Sequence, residues 1–278
     1  MTMSDYKLKL RSKNFSNSAL RGAIYLPARC VYRAGSRTDT KDIFKNVPED
    51  EIIIEINTVK SIVNSRSKIL MNKCFDKAKV PHAKWFNPKD YNNFDNNDDY
   101  EKLINDVKDK YPILAKRIYG FKGIGMVKID SEEDLIEFMQ ENGIKGYYFE
   151  VFKNYSREYR IHCSQEEVFM VWRKLRKSDA ENRWFFNSEN CNWVGVDHEL
   201  FNKPVNWDKI CEDCIKALRE IGLDLGSFDV RVQSSVKKNP RYILIEVNSA
   251  PALGELGLSK YKEQLIKIFN KKHEQQHN

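Results

Sequence analysis

Apolar positions near the N-terminus follow first a strand-like and then a helix-like pattern. Short apolar runs at 23–26 and 52–56 predict two strands, and the polar segment 32–38 between them, with one glycine and two arginines, predicts a turn. From 61 to 79 the apolar residues recur at helical spacing, and a Val-Pro pair at 80–81 predicts the end of that helix. This part of the chain is therefore expected to be a small α/β region that leads into a helix.

The rest of the chain mixes helical and strand-like patterns. Helices are predicted at 100–110, 131–142 and 207–221, and a capping box that begins at Ser131 starts the second of them. Strands are predicted at 112–118, at the end of 123–129, and at 147–152, 158–163, 167–173, 226–233 and 241–248. Polar stretches at 87–100 and 177–192 predict loops, and no internal repeat is visible. The order of these elements favours an α+β fold with substantial antiparallel sheet.

The composition is typical of a folded protein of the cytoplasm. Of the 278 residues, 41% are hydrophobic and 31% are charged, which suits a sizeable core in about two domains or one composite domain. No stretch reaches the roughly 18 uninterrupted apolar residues of a membrane span, and the first residues lack the apolar segment of a signal peptide. Six cysteines are too few for a dense disulfide framework. Cys211 and Cys214 fit a helix, so we expect reduced thiols in or near the core.

The excess positive charge is confined to the N-terminal part of the chain. The net charge is +7; residues 1–48 hold 10 Lys/Arg against 3 Asp/Glu, and the rest of the chain is balanced. Aromatic residues are interleaved with these cations at Tyr6, Phe15, Tyr25 and Tyr32. Clustered cations with aromatic residues suit an acidic partner or a nucleic acid, and a charged, solvated face would explain the pattern as well.

A strand followed by a glycine-rich turn is a candidate phosphate site. Lys116 ends the predicted strand, and Gly120, Gly123 and Gly125 follow around Lys122. Glycine allows the backbone to approach a ligand closely, and exposed N–H groups with lysines nearby can bind phosphate oxygens. The segment lacks the Gly-Lys-Ser/Thr of a P-loop, and an ordinary glycine-rich hairpin would explain it equally.

Two late strands carry candidate metal ligands. Glu246 and Asn248 are two residues apart, so they share a face at the end of an apolar run, and Asp229 and Arg231 share a face on what would be the neighbouring strand. Carboxylate and amide oxygens suit Mg²⁺, which binds proteins through one or two carboxylates together with phosphates. The alternative is a polar cluster at the strand ends that solvent satisfies.

Two further segments are informative only in combination. The aromatic strand that ends in Glu150-Val151-Phe152 could wall an adenine, and Glu158 shares a face with Arg160 on the next strand. Lys68 lies near the start of a helix. Taken singly, these are an ordinary sheet and an exposed lysine.

In this order, the four segments from Asn64 to about Leu258 resemble the ATP-grasp superfamily, and most closely its peptide- and glutamate-adding ligases related to the ribosomal-protein modification enzyme. The most specific signature is Leu-Ile-Glu-Val-Asn-Ser-Ala-Pro at 244–251. The resemblance implies two α+β lobes that grip ATP, two Mg²⁺ ions, and a carboxylate that is activated as an acyl phosphate and then attacked by an amine. It implies no covalent enzyme intermediate.

The resemblance also assigns roles to residues of this chain. Asp229, Glu246 and Asn248 would bind the metal, Lys68 and Lys116 the nucleotide phosphates, and Glu158 the ribose side. The phosphate loop would include Gly120, Lys122, Gly123 and Gly125, and the backbone of Glu150, Val151 and Phe152 would contact adenine. Arg173, Arg176 and Arg231 are candidates for stabilising the acyl phosphate. The substrates would be a carboxylate and an amine, from a small molecule, a peptide or a protein end.

The predicted organisation has one departure from the family. Residues 1–63 would be a reduced basic α/β region, 64–150 the first lobe, 151–270 the second lobe with the metal site, and 271–278 a tail. Relatives usually carry a full α/β domain before the helix with the first lysine, so the N-terminal part leaves the substrate open. Two alternatives remain at this stage: a nucleic-acid-associated protein that binds through the basic N-terminus, and a phosphotransferase on the same scaffold.

Overall fold

The computed structural model describes residues 6–12, 20, 24–48, 51–87, 97–120, 123–180, 184–186, 190–234 and 236–277. Lys122 lies outside the described residues. Among the described residues, no helix is both long and apolar enough to cross a membrane.

The N-terminal region forms two small sheets. Its elements are β1 (Tyr6–Lys7), β2 (Lys9–Ser12), β3 (Tyr25–Leu26), β4 (Arg29–Ala34), α1 (Thr40–Ile43) and β5 (Ile53–Ile56). β1 pairs antiparallel with β3, and β2, β4 and β5 form a parallel sheet in the order β2-β4-β5. The strand predicted at 52–56 is confirmed as β5.

The turn predicted at 32–38 is wrong for its first residues, because β4 continues to Ala34. Arg33 is fully buried in that strand. Its guanidinium donates to Glu55 at 2.8 Å, to Thr40 at 2.6 Å and to the Thr38 carbonyl at 2.9 Å. These partners compensate for the loss of water, so an arginine that looks like a turn residue in the sequence is accommodated in a strand.

The single helix predicted at 61–79 is two helices in the structure. Ser67 separates α2 (Val59–Arg66) from α3 (Lys68–Ala78), and it caps the end of the first helix and the start of the second. The Ser67 hydroxyl accepts from the Leu70 amide at 3.4 Å and caps α3. Lys68 is therefore the first residue of a helix, and its amide donates to the Ile118 carbonyl at 3.1 Å.

The next elements form the first lobe. They are β6 (Trp85–Phe86), α4 (Asn97–Val107), β7 (Ile113–Arg117), β8 (Val127–Ile129), α5 (Glu132–Asn142) and β9 (Tyr147–Val151). The antiparallel sheet has the order β6-β9-β7-β8. The predicted cap is confirmed, since the Ser131 hydroxyl accepts from the Asp134 amide at 3.2 Å. Apolar residues of α4 and α5 pack on one face of the sheet, so its other face is left for the cleft.

The second lobe is a larger antiparallel sheet covered by helices. Its elements are β10 (Arg157–Ser164), β11 (Val168–Arg176), β12 (Cys191–Val194), α6 (Trp207–Ile221), β13 (Leu225–Val232), β14 (Tyr242–Asn248) and α7 (Glu255–His277). The strand order is β12-β11-β10-β13-β14. One face of this sheet packs on α3 and α6 in the main core.

α7 was not predicted, and it includes the described part of the segment expected to be a tail. Its Tyr261, Leu265 and Phe269 pack with the N-terminal sheet and with Met170 and Leu225 of the second-lobe sheet. The half of the sheet face next to α7 is therefore covered, and the half towards β14's end carries the charged residues described below.

Asn57 ties the N-terminal sheet to the second lobe. It is fully buried, with φ at +61°. Its side-chain Nδ2 donates to the carbonyls of Arg33 and Leu225. Its side-chain Oδ1 accepts from the backbone amides of Asp224 and Leu225, and the four distances are 2.8 to 3.2 Å. These bonds fix the N-terminal region next to the start of β13.

The cysteines are thiols in the structure. Cys214 is fully buried on α6 and Cys211 half-buried. Burial raises the pKa of both thiols, that of Cys211 to about 11. The prediction of reduced cysteines in or near the core is confirmed for this pair.

Candidate active site

Alternating residues place one set of charged side chains on a single face of the second-lobe sheet. Register pairs Glu158 of β10 with Lys174 of β11 and with Arg231 of β13, and it pairs Arg160 with Asp229. Successive strand side chains point to opposite faces, so these five lie on the face opposite the main core. The sequence pattern anticipated the shared faces within each strand, and the pairing brings the strands together.

These five residues form a buried ion-pair network. Arg160 donates to both Asp229 oxygens, at 2.7 and 2.8 Å. The Lys174 ammonium lies 3.0 Å from Asp229 Oδ2 and 2.5 Å from Glu158 Oε1, and Arg231 donates to Glu158 Oε2 at 2.9 Å. Burial would raise the pKa of the Asp229 carboxyl, but the charges of Arg160 and Lys174 outweigh burial and hold it well below its ordinary value.

Glu246 and Asn248 lie at the open end of the same face. Glu246 is the register partner of Asp229, and its side chain is 31% exposed. One carboxylate oxygen accepts from the Lys68 ammonium, and the other accepts from the Asn248 amide at 3.4 Å. Burial raises the pKa of Glu246, and the negative charge of Asp229 raises it further. The Lys68 charge outweighs both effects, so the pKa of Glu246 is lowered overall. The structure thus brings together Asp229, Glu246 and Asn248, as the sequence predicted.

The first lobe contributes a second ion pair. Lys116 on β7 donates to Glu150 on β9, and the buried Tyr148 hydroxyl donates to the other Glu150 oxygen at 3.0 Å. Burial, with the negative charges of Glu150 and Glu246, raises the pKa of Tyr148 well above its ordinary value. The two predicted lysine sites adjoin each other, because the Lys68 amide donates to the Ile118 carbonyl, two residues beyond Lys116.

The glycine-rich segment forms the predicted turn. Gly123 and Gly125 have φ of +75° and +69°, a region that residues with a Cβ rarely adopt. A Cβ on Gly125 would lie 3.0 Å from the Arg117 side chain, and one on Gly120 would lie 3.2 Å from it. Glycine is therefore required at 123 and 125 by the backbone and favoured at 120 by the close packing.

Three consecutive aromatic residues, Trp184–Phe186, cross from the second lobe to the first. The Trp184 ring stands edge-on to Phe152, with ring centroids 6.1 Å apart. A Cβ on Gly123 would lie 3.4 Å from the Phe185 ring. The guanidinium groups of Arg176 and Arg231 lie 4.4 and 5.2 Å from the centroid of the Phe186 ring. This cluster was not predicted, because it lies inside the polar stretch 177–192, although three aromatic residues in a row were a signal for it.

Arg173 is not part of the charged face. It is the register partner of Tyr159, whose ring packs in the main core, and it donates to the Leu200 carbonyl. Lys174 is on the charged face instead, since neighbouring strand residues point to opposite sides. The structure therefore places Arg173 on the face away from the charged residues, and it places Lys174, which was not among the predicted site residues, on the charged face.

Glu158 and the strand end at 150–152 are also placed differently from expectation. Glu158 is 3% exposed and both of its oxygens accept from cations, which leaves it little capacity for a ribose. The Val151 amide donates to the Lys84 carbonyl at 2.8 Å, and the Phe152 amide donates to the Pro112 carbonyl at 2.9 Å. These two amide hydrogens are engaged by the protein itself, so they are not available as donors to an adenine.

Within the described part of the chain, no group of three or more His, Cys, Asp or Glu side chains is arranged to hold a metal ion. A Mg²⁺ ion needs fewer protein carboxylates than that, because phosphates and water supply the remaining oxygens. Glu246 and Asn248, which are adjacent and partly open, fit such an ion. Asp229 has both oxygens engaged by cations.

Solved structures of ligases share this architecture. D-alanine–D-alanine ligase from Bacillus anthracis superposes with a TM-score of 0.59 at 12% identity, over 88% of this chain and 81% of that chain. D-alanyl-alanine synthetase A from Vibrio cholerae gives 0.58 at 12% identity, over 86% and 72%. The ATP-grasp ligase PsnB, complexed with a phosphomimetic variant of the minimal precursor, Mg and ADP, gives 0.53 at 12% identity, over 83% and 72%.

No protein-family model matches the chain, and neither does any curated protein. The structural likeness is nevertheless extensive, since it covers 83 to 88% of this chain in these three structures. The chain has the ATP-grasp fold.

Proposed function

We propose that the protein is an ATP-dependent ligase that joins a carboxylate to an amine through an acyl phosphate and releases ADP and phosphate. The observation that carries this proposal is the convergence of cations from both lobes on the Glu246–Asn248 end of the sheet. Lys68 pairs with Glu246, and Arg160 and Lys174 pair with Asp229, the register partner of Glu246. Lys116 of the first lobe lies nearby, because the Lys68 amide donates to the Ile118 carbonyl, two residues beyond Lys116. Neighbours in fold that are ligases support the same reaction class.

ATP and Mg²⁺ are the cofactors that this chemistry needs. Solved neighbours were obtained with ATP and with Mg and ADP. Glu246 and Asn248 would hold the ion, and Asp229 could contribute an oxygen once Arg160 or Lys174 turns to a phosphate. When bound, the ion would neutralise charge on the phosphates, and ATP would supply the phosphoryl group.

The lysines and the glycine turn would hold the nucleotide phosphates. Lys68 and Lys116 are paired with Glu246 and Glu150, so each ammonium is already held at the cleft before a phosphate arrives. The positive φ of Gly123 and Gly125 exposes a turn whose backbone can approach phosphate oxygens. This preorganisation reduces the cost of aligning the cations in the transition state.

The remaining arginines would stabilise the reacting group. In the first step an oxygen of the substrate carboxylate forms a bond to the γ-phosphorus, and ADP leaves. In the second step the amine nitrogen attacks the acyl carbon, phosphate leaves, and the nitrogen loses a proton to solvent. Arg176 and Arg231 both lie against the Phe186 ring, and their planar guanidinium groups would stabilise the negative charge of both steps.

A substrate screen tests the proposal. The protein with ATP and Mg²⁺ is mixed with amino acids, peptides and amines, singly and in pairs, and ADP formation is followed together with product mass. We expect ADP only when a carboxylate and an amine are both present, with a product that has lost one water relative to the pair. ADP formation with one hydroxylated acceptor and a phosphorylated product would instead establish a phosphotransferase. Absence of ADP formation with every pair would count against the ligase.

A further inference from the structure

The last turn of α7 carries two histidines that face each other. His273 and His277 are four residues apart, so they are neighbours on one face of the helix. Their Nε2 atoms are 3.0 Å apart. Imidazole nitrogen is the commonest protein ligand of transition metals. The pair is therefore a candidate metal site that lies outside the cleft.

The two rings lean towards a point between them. Their centroids are 4.4 Å apart, and their planes are inclined by 72°. A straight N–H···N hydrogen bond of the observed length would separate the centroids by about 5.3 Å, because each centroid lies about 1.15 Å behind its nitrogen. An ion about 2.05 Å from both nitrogens would separate the centroids by about 4.7 Å. The observed separation is closer to the second value, so the arrangement suits two ligands of one ion better than a straight hydrogen bond.

The spacing of the nitrogens also indicates which ions fit. With metal–nitrogen bonds of about 2.05 Å, nitrogens 3.0 Å apart subtend an angle of about 94° at the ion. Tetrahedral Zn²⁺ would need an angle of about 109° and nitrogens about 3.3 Å apart. Square-planar and octahedral ions hold neighbouring ligands at about 90°. The pair therefore favours Cu²⁺ or Ni²⁺, which also rank high in affinity for nitrogen ligands.

One of the two rings is held in place by the core. His273 stacks on Phe269, with ring centroids 5.5 Å apart and planes inclined by 20°. Phe269 is fully buried, whereas His277 is exposed. Because His273 is already positioned and only His277 has to be ordered, the entropic cost of binding an ion between them is reduced.

The electrostatic surroundings of the pair accept a cation. Lys271 pairs with Glu166, and Lys272 pairs with Asp224 at 2.7 Å, so the two lysines next to the pair each have a carboxylate partner. The pair also lies in the last turn of a 23-residue helix. Carbonyl groups without intrahelical partners form the negative end of the helix dipole there, which favours a positive ion.

Two histidines would leave most of the coordination shell of the ion open. Within the described part of the chain, no third His, Cys, Asp or Glu completes a metal-binding group with them. Water would therefore supply the remaining ligands, and the ion would exchange with solution. This site differs in its chemistry from the Glu246–Asn248 end of the cleft, because Mg²⁺ prefers oxygen ligands.

We propose that His273 and His277 form a two-histidine site for a divalent ion of the Cu²⁺ or Ni²⁺ type. The ion would join residues on successive turns and fasten the end of α7. Lys272, the residue before the site, donates to the Glu55 carbonyl of β5 at 2.8 Å. The fastened turn is therefore the one that ties α7 to the N-terminal sheet. Binding at this site does not depend on the proposed ligase activity.

The test is calorimetric titration of the nucleotide-free protein with nickel nitrilotriacetate in excess Mg²⁺. The chelate leaves two adjacent positions of octahedral Ni²⁺ open, so it suits a pair of imidazoles at a right angle. We expect one chelate per chain, with affinity about tenfold or more lower in His273→Ala and in His277→Ala, because one of two linked ligands is lost. His198→Asn, at an exposed position elsewhere, should bind as the wild type does. Circular dichroism checks that each variant is folded.

A variant with the second histidine moved separates a paired site from two independent histidines. His277→Gln combined with Gln275→His keeps the number of histidines but places them two residues apart, where helix side chains do not face each other. We expect this double variant to lose affinity as His277→Ala does. Wild-type affinity in the double variant or in either alanine variant, or no binding by the wild type, would overturn the proposal.

Discussion

Lys68, the first residue of α3, pairs with Glu246 of β14, 178 positions away along the chain. In the proposed function, this pair joins a phosphate-binding lysine to a metal-binding carboxylate. Burial would raise the pKa of Glu246, but the Lys68 charge holds it below its ordinary value. The binding elements of the cleft are therefore in place before any ligand arrives.

Glu246→Gln should abolish most ADP formation while the fold is retained. Glutamine keeps an acceptor for Lys68 but loses the negative charge that a metal ion requires. We expect the rate to fall by at least about 100-fold, in line with the loss of one electrostatic group in a transition state. The rate of ADP formation and the circular dichroism spectrum measure the two effects. Glu212→Gln on the exposed side of α6 is the matched control, and an unchanged rate in Glu246→Gln would remove this residue from the metal site.

Lys116→Ala should weaken ATP binding more than it slows turnover at saturating ATP. Removal of a charged hydrogen bond of about 1.5–3 kcal/mol corresponds to roughly 10- to 100-fold in affinity. Titration calorimetry with ATP and Mg²⁺ measures the Kd, with Lys145→Ala, at an exposed position of the same lobe, as the control. If Lys116→Ala binds ATP as tightly as the wild type, the lysine does not contact the phosphates.

Lys174 and Arg173 provide a test of which face of β11 is functional. Lys174→Met leaves Glu158 and Asp229 without a shared buried cation, and removal of one partner from a buried ion pair costs about 3–5 kcal/mol. We expect a loss of that order in urea unfolding and loss of ADP formation. Arg173→Met should keep ADP formation within a few-fold of the wild type. The reverse result, with Arg173 essential and Lys174 dispensable, would mean that the other side of β11 faces the substrate.

His162 should make the fold less stable as pH falls. Its ring contacts the Tyr261 hydroxyl at 2.9 Å, and burial, with the charge of Arg160, lowers its pKa to about 3, although Asp229 opposes the shift. His162 is protonated near pH 6.5 in the unfolded chain but only near pH 3 in the folded protein. The free energy of unfolding therefore falls between about pH 6.5 and pH 3, by about 1.4 kcal/mol per pH unit.

Urea unfolding at several pH values measures this dependence. His162→Asn should remove that part of the slope, and His198→Asn, at an exposed position, should keep it. An identical slope in wild type and His162→Asn would show that another group is responsible. Asp229 and Glu246 act mainly at lower pH, because their lowered pKa values give stability that is complete above about pH 5 and is lost as pH falls through the folded pKa.

The elements with regular periodicity could be predicted from the sequence. α6 occupies the predicted range 207–221, and the last two strands differ from expectation by one residue. The clustering of Asp229, Glu246 and Asn248 was also predictable, because alternation in two neighbouring strands fixes which residues share a face.

Features that depend on tertiary contacts could not be predicted in this way. Arg33 looks like a turn residue until Glu55 and Thr40 are brought beside it. The choice between Arg173 and Lys174 depends on the register of β11 with β10, which the local pattern does not reveal. α7 was missed although it is the longest described helix, since the final residues were read only as a tail.

The transfer of carboxylate oxygen to phosphate tests the central claim most directly. The acid of an active pair from the substrate screen is prepared with oxygen-18 in its carboxylate, and the released phosphate is examined by mass spectrometry after ligation. An acyl phosphate breaks at its acyl carbon when the amine attacks, so one carboxylate oxygen leaves with the phosphorus. The account predicts inorganic phosphate that carries one oxygen-18 atom for each amide formed. Amide formation with unlabelled phosphate would contradict it.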